Sequence, residues 1–259
     1  RMNVLYHSQM THAVLHEIFP SIQGEGPWIG ERHIFVRFYG CDLQCRYCDT
    51  VASLGAAGNA IPKFCRVATG VDPNAHEEIP NPVSPADLTN VCGRFIIPGP
   101  SRPTISLTGG EPLLHSSFLG EWLPPARRTF RIYLETNGIH AGAMRDLRDL
   151  VDVVSMDFKL PSATGLRPFW EEHARFLAEA AGSALYVKAV VTNDTVMSDI
   201  VTAAKIIVGS RHHVPLVLQP ASGCYAPGSA MLLAFQDAAL EILEDVRVIP
   251  QAHKVLNVP

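Results

Sequence analysis

Short apolar runs recur along the chain, and longer amphipathic stretches separate them. The runs are rich in β-branched and aromatic residues, which is typical of buried strands. Strands are predicted at residues 33–39, 104–108, 130–136, 151–158, 184–192 and 214–219. Helices are predicted at residues 85–95, 117–128, 141–150, 168–181, 195–208 and 229–245. This alternation predicts an α/β fold in which a parallel sheet forms a partial β/α barrel of about six strands.

Two helix ends carry specific local signals. Ser84 precedes the first predicted helix and is a suitable N-cap. Pro124 and Pro125 should end the second helix, because proline lacks the backbone donor that a helix interior uses.

Residues 51–82 do not fit the alternation, because they contain few periodic positions and several Gly and Pro residues. A long segment without secondary structure is unusual in a compact domain and is often functional. We expect a single domain over residues 1–259 with an inserted loop at about 51–82, packed over one mouth of the barrel. A mobile surface loop is the alternative.

Polar residues cluster where the predicted strands end. The cysteine-rich segment follows the first strand, and five further clusters follow the others, at residues 108–112, 135–138, 155–159, 192–194 and 219–220. In parallel barrels the carboxyl ends of the strands carry the active site. The sequence therefore predicts a site at this edge of the sheet.

Composition narrows the class of protein. Apolar residues make up 47% of the 259 residues, which is enough for a sizeable core. The net charge of −4 argues against a large nucleic-acid surface, and no apolar run approaches the roughly 18 residues of a membrane span. The start of the chain lacks a signal-peptide pattern. We expect a cytoplasmic enzyme with neither a nucleic-acid nor a membrane partner.

Six cysteines are present, and Cys41, Cys45 and Cys48 fall within eight residues as C-x3-C-x2-C. A structural zinc site would need a fourth ligand from Cys65, Cys92 or a histidine. Buried cysteines without a metal are a second interpretation. The third is an iron–sulfur cluster, in which three cysteine ligands leave one iron open to a substrate or cofactor.

Two features before this segment admit two interpretations each. Gly24 and Gly26 flank Glu25 and indicate a tight turn, which could present polar groups or be a plain surface turn. Arg37 lies inside an apolar strand and needs a partner. That partner could be a ligand carboxylate or an internal ion pair.

With Tyr47 directly before Cys48, the cysteine segment resembles the signature of radical S-adenosylmethionine (SAM) enzymes. Residues 108–112, which read TGGEP, resemble that superfamily's GGEP motif, which lies against the amino group of SAM. The superfamily fold is a full or partial β/α barrel, as the strand pattern predicts.

Residues 17–50 resemble the 7-carboxy-7-deazaguanine synthase family, through Gln-Gly-Glu-Gly at 23–26, Phe-x-Arg ending at Arg37 and Cys-Asp-Thr at 48–50. The likeness returns at 108–112, 135–138 and 219–220. It implies conversion of 6-carboxy-5,6,7,8-tetrahydropterin to 7-carboxy-7-deazaguanine with loss of ammonia, on the route to queuosine. It also implies a 4Fe-4S cluster, SAM, Mg2+, a flavodoxin or similar reductant, and a homodimer.

The resemblance also implies roles for single residues. The cluster ligands would be Cys41, Cys45 and Cys48, and the one protein ligand of Mg2+ would be the hydroxyl of Thr50. The substrate-binding residues would be Ile22, Gln23, Gly24, Arg37, Thr108 and Pro259. The SAM-binding residues would be Tyr47, Cys48, Asp49, Gly110, Glu111, Ser155, Asp157, Lys159 and Gln219. No side chain is expected to act as a catalyst, because SAM carries the radical.

The implied reaction begins with reductive cleavage of SAM to a 5'-deoxyadenosyl radical, which takes a hydrogen from C6 of the pterin. Ring contraction and loss of ammonia follow, and return of the hydrogen regenerates SAM. Two alternatives remain: a related radical SAM enzyme, such as a glycyl-radical activase or a homologue with another substrate, and a non-enzymatic zinc-binding module.

Overall fold

The computed structural model describes residues 11–50, 60–70, 75–180, 182–210 and 213–259. The strands in this part of the chain are β1 (Leu15–Ile22), β2 (Arg32–Phe38), β3 (Phe64–Ala68), β4 (His76–Pro80), β5 (Thr104–Gly109), β6 (Arg131–Thr136), β7 (Val153–Asp157), β8 (Ala184–Val191), β9 (Leu216–Pro220) and β10 (Val246–Val248). The helices are α1 (Pro85–Gly93), α2 (Ser116–Ala126), α3 (Ala141–Leu147), α4 (Pro161–Thr164), α5 (Trp170–Glu179), α6 (Met197–Ser210), α7 (Ser229–Leu240) and α8 (Ala252–Leu256).

All described strands join one sheet in the order β10-β9-β8-β7-β6-β5-β2-β1-β3-β4. The stretch from β2 through β5 to β10 is parallel throughout. Each of the six predicted strands is confirmed as β2 or as one of β5 to β9, and the predicted α/β fold with a mostly parallel sheet is confirmed.

The predicted helices are confirmed, and they differ from the prediction by a few residues at their ends. Ser84 caps α1 as predicted, accepting a hydrogen bond from the Asp87 backbone N–H at 3.1 Å. The expectation that Pro124 and Pro125 end α2 is wrong, because both lie inside its last turn and the helix continues to Ala126. The prolines lack the N–H groups that would bond the carbonyls of Gly120 and Glu121, and the helix continues past them without these two bonds. The final predicted helix is shorter and stops at Leu240.

The predicted inserted loop at about 51–82 is in part a β-hairpin. Strands β3 and β4 pair antiparallel, and β3 pairs parallel to β1 with Glu17 opposite Arg66. This part of the insertion extends the sheet beyond β1, so the expectation of a segment without secondary structure is wrong here. Residues 51–59 and 71–74 lie outside the described residues.

The side chains of the sheet divide into two faces because their direction alternates along each strand. On one face, apolar residues such as Ile132 and Leu134 of β6 join the large core, together with the helices. On the opposite face Tyr133 and Tyr186 share a hydrogen bond of 2.7 Å in a small aromatic cluster. Two residues further along the same strands, this inner face carries Glu135 and Lys188. It therefore changes from apolar to charged towards the carboxyl ends of the strands.

No helix in the described ranges is both long and apolar enough to cross a membrane.

Asn81 attaches the hairpin to β1. Its side-chain amide donates to the carbonyls of Leu15 (2.8 Å) and Pro62 (3.1 Å) and accepts from the Leu15 N–H at 3.1 Å. We expect Asn81→Ala to lower the free energy of unfolding by about 1–3 kcal/mol, because the substitution leaves partly buried backbone groups unpaired. Urea denaturation measures the change. The matched control is Asn90→Ala at an exposed position of α1, and an equal effect of both substitutions would contradict the role of Asn81.

Candidate active site

A cavity of about 680 Å³ opens at the carboxyl edge of the parallel strands. Its walls come from the strand ends, the last residues of β1, the cysteine segment 41–50 and residues 251–254 before and within α8. Every predicted site residue except Glu111 lines this one cavity. The fold therefore brings together residues that lie more than 200 positions apart in the chain, such as Gln23 and Pro259.

The start of the cysteine segment packs against Gly110 and Glu111, which directly follow β5. Gly110 N–H donates to the Phe38 carbonyl at 3.0 Å, and Glu111 N–H donates to the Gly40 carbonyl at 2.8 Å. A Cβ atom on Gly110 would lie 2.0 Å from the Gly40 oxygen, which real contacts do not allow. Only glycine lets the TGGEP segment approach the start of the cysteine segment this closely.

Each predicted cluster cysteine is followed directly by a charged residue that contacts another part of the fold. Asp42 follows Cys41 and accepts from Asn137 Nδ2 at 3.1 Å, and its Oδ2 lies 3.1 Å from His140 Nε2. The nearby His140 side chain lowers the pKa of Asp42, and Asp42 in turn raises the pKa of His140. This contact and the hydrogen bond from Asn137 fix the residue after the first cysteine to the loop between β6 and α3.

Arg46 follows Cys45 and contacts the α4 region. Its backbone N–H donates to the Thr164 carbonyl at 3.0 Å, and its guanidinium donates to the Ser162 carbonyl at 2.8 Å. Gly165 leaves room for this side chain, because a Cβ atom there would lie 2.7 Å from Arg46 Nε.

Asp49 follows Cys48 and contacts residues next to and within α8. Its Oδ2 accepts from Lys254 Nζ at 3.1 Å and from Gln251 Nε2 at 3.2 Å. Partial burial would raise the pKa of this half-exposed carboxylate, but the Lys254 and Gln251 donors lower the pKa of Asp49 to about 2. The three cysteines are thus anchored at three separate places around the cavity.

The donor set suits an iron–sulfur cluster better than a single zinc ion. Among the described residues, no three Cys, His, Asp or Glu side chains converge on one metal position. Zinc requires such convergence, whereas the cysteines of a cluster each bind a different iron. Cys65 and Cys92 are buried in the core and Cys224 is exposed after β9, so none of them lines the cavity as a fourth ligand.

The three thiols share one further property. Burial raises the pKa of Cys41 to about 12 and also raises the pKa values of Cys45 and Cys48. The thiols are therefore protonated without iron, and cluster assembly must release their protons.

Lys188 of β8 forms the charged floor of the cavity. Its ammonium group lies 2.5 Å from Glu25 Oε2 and 3.4 Å from Asp157 Oδ2. Burial alone would lower the pKa of Lys188, but Glu25 and Asp157 raise it well above its usual range. Lys188 in turn holds the pKa of Glu25 below its usual range despite burial.

Glu135 of β6 accepts two hydrogen bonds from the wall predicted to meet the substrate. The donors are Thr108 Oγ1 at 2.7 Å and Gln23 Nε2 at 3.0 Å. Burial raises the pKa of Glu135, and the nearby charge of Glu25 raises it further. Glu135 therefore takes up a proton more readily than an exposed carboxylate does.

Several buried polar atoms in the wall predicted to meet SAM have no hydrogen-bond partner among the described residues. They are Tyr47 Oη, Asp157 Oδ1 and Gln219 Oε1. Buried polar atoms are almost always paired in folded proteins. All three residues line the cavity, so a polar ligand such as SAM fits the chemistry of this wall.

Arg37 forms an internal ion pair, which is one of the two alternatives that the sequence allowed. Its Nε donates to Glu17 Oε1 at 2.8 Å, from the antiparallel neighbour β1. Arg37 also lines the cavity, so the ion pair holds its guanidinium at the wall. Its contact with substrate stays a prediction.

Glu111 differs from the other predicted residues because it is buried behind the cavity. Its carboxylate accepts from Leu113 N–H at 3.0 Å, Thr136 Oγ1 at 2.9 Å and Asn137 N–H at 2.7 Å. It ties the loop after β5 to the loop after β6. Its side chain therefore positions loops instead of lining the predicted SAM wall.

Sequence reasoning missed several residues of the cavity wall. Lys188 lies within the apolar strand β8 and was not predicted. It is a charged residue at a buried strand position, and the same feature marked Arg37 as a candidate. Gln251, His253 and Lys254 carried no local signal, because only the folded chain brings them to the cavity. Pro259 contacts β1, where its carbonyl accepts from Ser21 Oγ at 2.7 Å.

Comparison with known proteins agrees with this geometry. A profile of the radical SAM superfamily matches residues 35–198. A 7-carboxy-7-deazaguanine synthase of Geobacter sulfurreducens is 38% identical and covers 95% of this chain and 97% of its own length. Another, of Methanopyrus kandleri, is 35% identical and covers 94% of this chain and 93% of its own.

Two solved structures share the fold. QueE from Escherichia coli aligns with a TM-score of 0.58 at 20% identity, over 93% of this chain and 94% of that one. TYW1 with a lysine-pyruvate adduct bound aligns with a TM-score of 0.52 at 12% identity, over 81% of this chain and 73% of that one.

The glycine contact beneath the cysteine segment is testable by adding one methyl group. We expect Gly110→Ala to destabilise the protein by about 1–3 kcal/mol, because backbone atoms cannot move aside cheaply. The displaced cysteine segment should also take up less iron during anaerobic reconstitution. Gly120→Ala is the control, since a Cβ atom there would meet Leu147 only at 4.0 Å. Equal stability and iron content in both variants would contradict the contact's role.

Proposed function

The chain belongs to the 7-carboxy-7-deazaguanine synthase family of radical SAM enzymes, and we infer that it forms 7-carboxy-7-deazaguanine from 6-carboxy-5,6,7,8-tetrahydropterin with loss of ammonia. The observation that carries this conclusion is the single cavity. It joins the three cysteines, the TGGEP glycine Gly110 and the predicted substrate residues in one space. A substrate bound there would lie beside SAM.

The substrate half of the cavity is formed by Gln23, Arg37, Thr108 and Glu135. A pterin offers ring donors and acceptors together with one carboxylate, and this wall presents an amide, a hydroxyl, a carboxyl group and a guanidinium. The hydrogen bonds from Gln23 and Thr108 to Glu135 fix these side chains before substrate arrives. Ile22, Gly24 and Pro259 complete the proposed contacts.

The SAM half is formed by residues after β7 and β9 and by the cysteine segment. Asp157 and Gln219 each present an unpaired buried oxygen, which would accept from donors on SAM. Lys159 holds Asp157 through an ion pair at 2.9 Å and lies over the Tyr47 ring. Asp49, Gly110 and Ser155 supply further proposed contacts.

When bound, a 4Fe-4S cluster and SAM supply a reductively generated radical that removes and later returns one hydrogen atom. Cys41, Cys45 and Cys48 would hold the cluster. The protein orients the two ligands, and the walls of the cavity shield the reaction from side reactions.

Mg2+ is proposed at the Thr50 hydroxyl, which donates to Asp49 Oδ1 at 3.0 Å. A hard cation that keeps mostly water and substrate oxygens as ligands suits one protein ligand. It would orient the substrate carboxylate and favour charge development during the rearrangement.

Partners and location are further parts of the proposal. The reductant would be a flavodoxin or a similar small electron carrier, and the enzyme would act as a homodimer in queuosine or related deazapurine synthesis. All six cysteines are free thiols, which suits a reducing compartment, and we propose the cytoplasm.

The direct test is an anaerobic assay of the reconstituted protein with SAM, Mg2+, reductant and the carboxylated tetrahydropterin. We expect 7-carboxy-7-deazaguanine to form. If 5'-deoxyadenosine accumulates slowly and no deazaguanine appears with any dose of pterin, the protein is a radical SAM enzyme with another substrate.

The cluster assignment has its own test. Cys45→Ala should abolish the absorbance near 400 nm of the reconstituted cluster and all product formation, because one of three iron ligands is lost. Cys224→Ala is the matched control, because this exposed cysteine lies outside the cavity wall. Retention of activity in Cys45→Ala would refute the ligand role.

A further inference from the structure

Residues 251–254 run between the two halves of the cavity. They follow β10, lead into α8 and line the cavity at Gln251, His253 and Lys254. Their contacts reach Glu25 in the turn after β1 and Asp49 in the cysteine segment.

The first end of this segment is fixed to the turn after β1. Gln251 Nε2 donates to Glu25 Oε1 at 2.9 Å, and the Ala252 N–H donates to the Gly24 carbonyl at 2.8 Å. A Cβ atom on Gly24 would lie 2.3 Å from His253 Nδ1. The segment and the turn are therefore in direct contact, and glycine at position 24 makes this contact possible.

The second end is fixed to the cysteine segment. Lys254 Nζ donates to Asp49 Oδ2 at 3.1 Å and to Ser222 Oγ at 3.2 Å, and Gln251 Nε2 reaches Asp49 Oδ2 at 3.2 Å. Ser222 Oγ donates to Gln251 Oε1 at 3.0 Å, which fixes the orientation of the amide. Lys254 and Gln251 thus hold Asp49 from two directions, and each of them also bonds a second residue.

The location of these bonds indicates what they do. The side chains of Lys254 and Asp49 are 38% and 52% exposed, and ion pairs this exposed contribute little to stability. Their effect is therefore geometric: they set where the Asp49 carboxylate and the turn of residues 48–50 lie.

We propose that Gln251 and Lys254 are positioning residues that hold Asp49 at the SAM half of the cavity and fix it relative to Glu25 at the substrate half. They act through Asp49 and Glu25. The inference rests on the proposed function in one respect, namely that the ligand at Asp49 is SAM. Partners that orient ligand-contacting groups typically matter roughly 10-fold or more for affinity.

Lys254→Met tests the proposal, because it removes the ammonium group and keeps the length of the side chain. SAM affinity is measured without pterin, from the change that SAM causes in the electron paramagnetic resonance spectrum of the reduced cluster, normalised to iron content. We expect roughly 10-fold weaker SAM binding. Lys254→Arg should restore most of the affinity, since it restores the donor to Asp49. Lys205→Met, at an exposed position of α6, should bind SAM like the unaltered protein.

A double-mutant cycle separates this role from a general structural one. If Lys254 acts through Asp49, Lys254→Met should cost nothing further in an Asp49→Asn background. Independent, multiplicative losses would overturn the proposal, as would unchanged SAM affinity in Lys254→Met.

A second readout needs no cluster. In the protein before reconstitution, amide hydrogen exchange of residues 46–50 should be faster in Lys254→Met than in Lys205→Met. Equal exchange in the two variants would contradict the positioning role of Lys254. Both measurements omit pterin, so a failure of the proposed reaction would leave their interpretation intact.

Discussion

One buried ammonium group connects the two halves of the cavity. Lys188 Nζ lies between Glu25, on the side proposed for the substrate, and Asp157, on the side proposed for SAM, and the Lys188 side chain is only 11% exposed. A buried charge is costly unless it is paired, so the three groups must stay together. Lys159 adds a second cation at Asp157. A third carboxyl group, Glu135, lies nearby, and burial and the charge of Glu25 raise its pKa.

The sheet places these charges where they can act. Side chains alternate between faces, and the inner face is aromatic at Tyr133 and Tyr186 and charged two positions later. Because the strands are parallel, their charged ends meet at one edge, next to the cysteine segment that follows β2. The Gly110–Gly40 contact brings that segment over the edge, and Asp42, Arg46 and Asp49 fix it at three places. Fold and site therefore depend on the same alternation.

Local patterns were sufficient to predict β2 and β5 to β9, because buried strands are continuous apolar runs, but they did not predict the three-residue strand β10. They were insufficient for β1, which contains Pro20, and for the hairpin, where β4 is almost entirely exposed. Pro20 is tolerated because β3 pairs with β1 only at Glu17 and Ile18. An edge strand such as β4 needs neither an apolar run nor regular alternation.

In the candidate site, too, some residues could be predicted from local patterns and others could not. The cysteines, Gly110 and Gln23 belong to short motifs that can be recognised in the sequence, and the cavity brings them together. The partner of Arg37 lies 20 positions away in β1, and Lys254 lies 205 positions from Asp49. Long-range pairs of this kind follow from strand order and chain path, which no local pattern specifies.

We propose that the three anchored cysteines hold a cluster whose remaining iron faces a cavity for SAM and a pterin. Mössbauer spectroscopy of protein reconstituted with iron-57, recorded with and without SAM, tests it most directly. We expect four irons per chain, of which one changes its isomer shift when SAM binds. Four irons that do not respond to SAM, or a stoichiometry of one metal ion per chain, would contradict it.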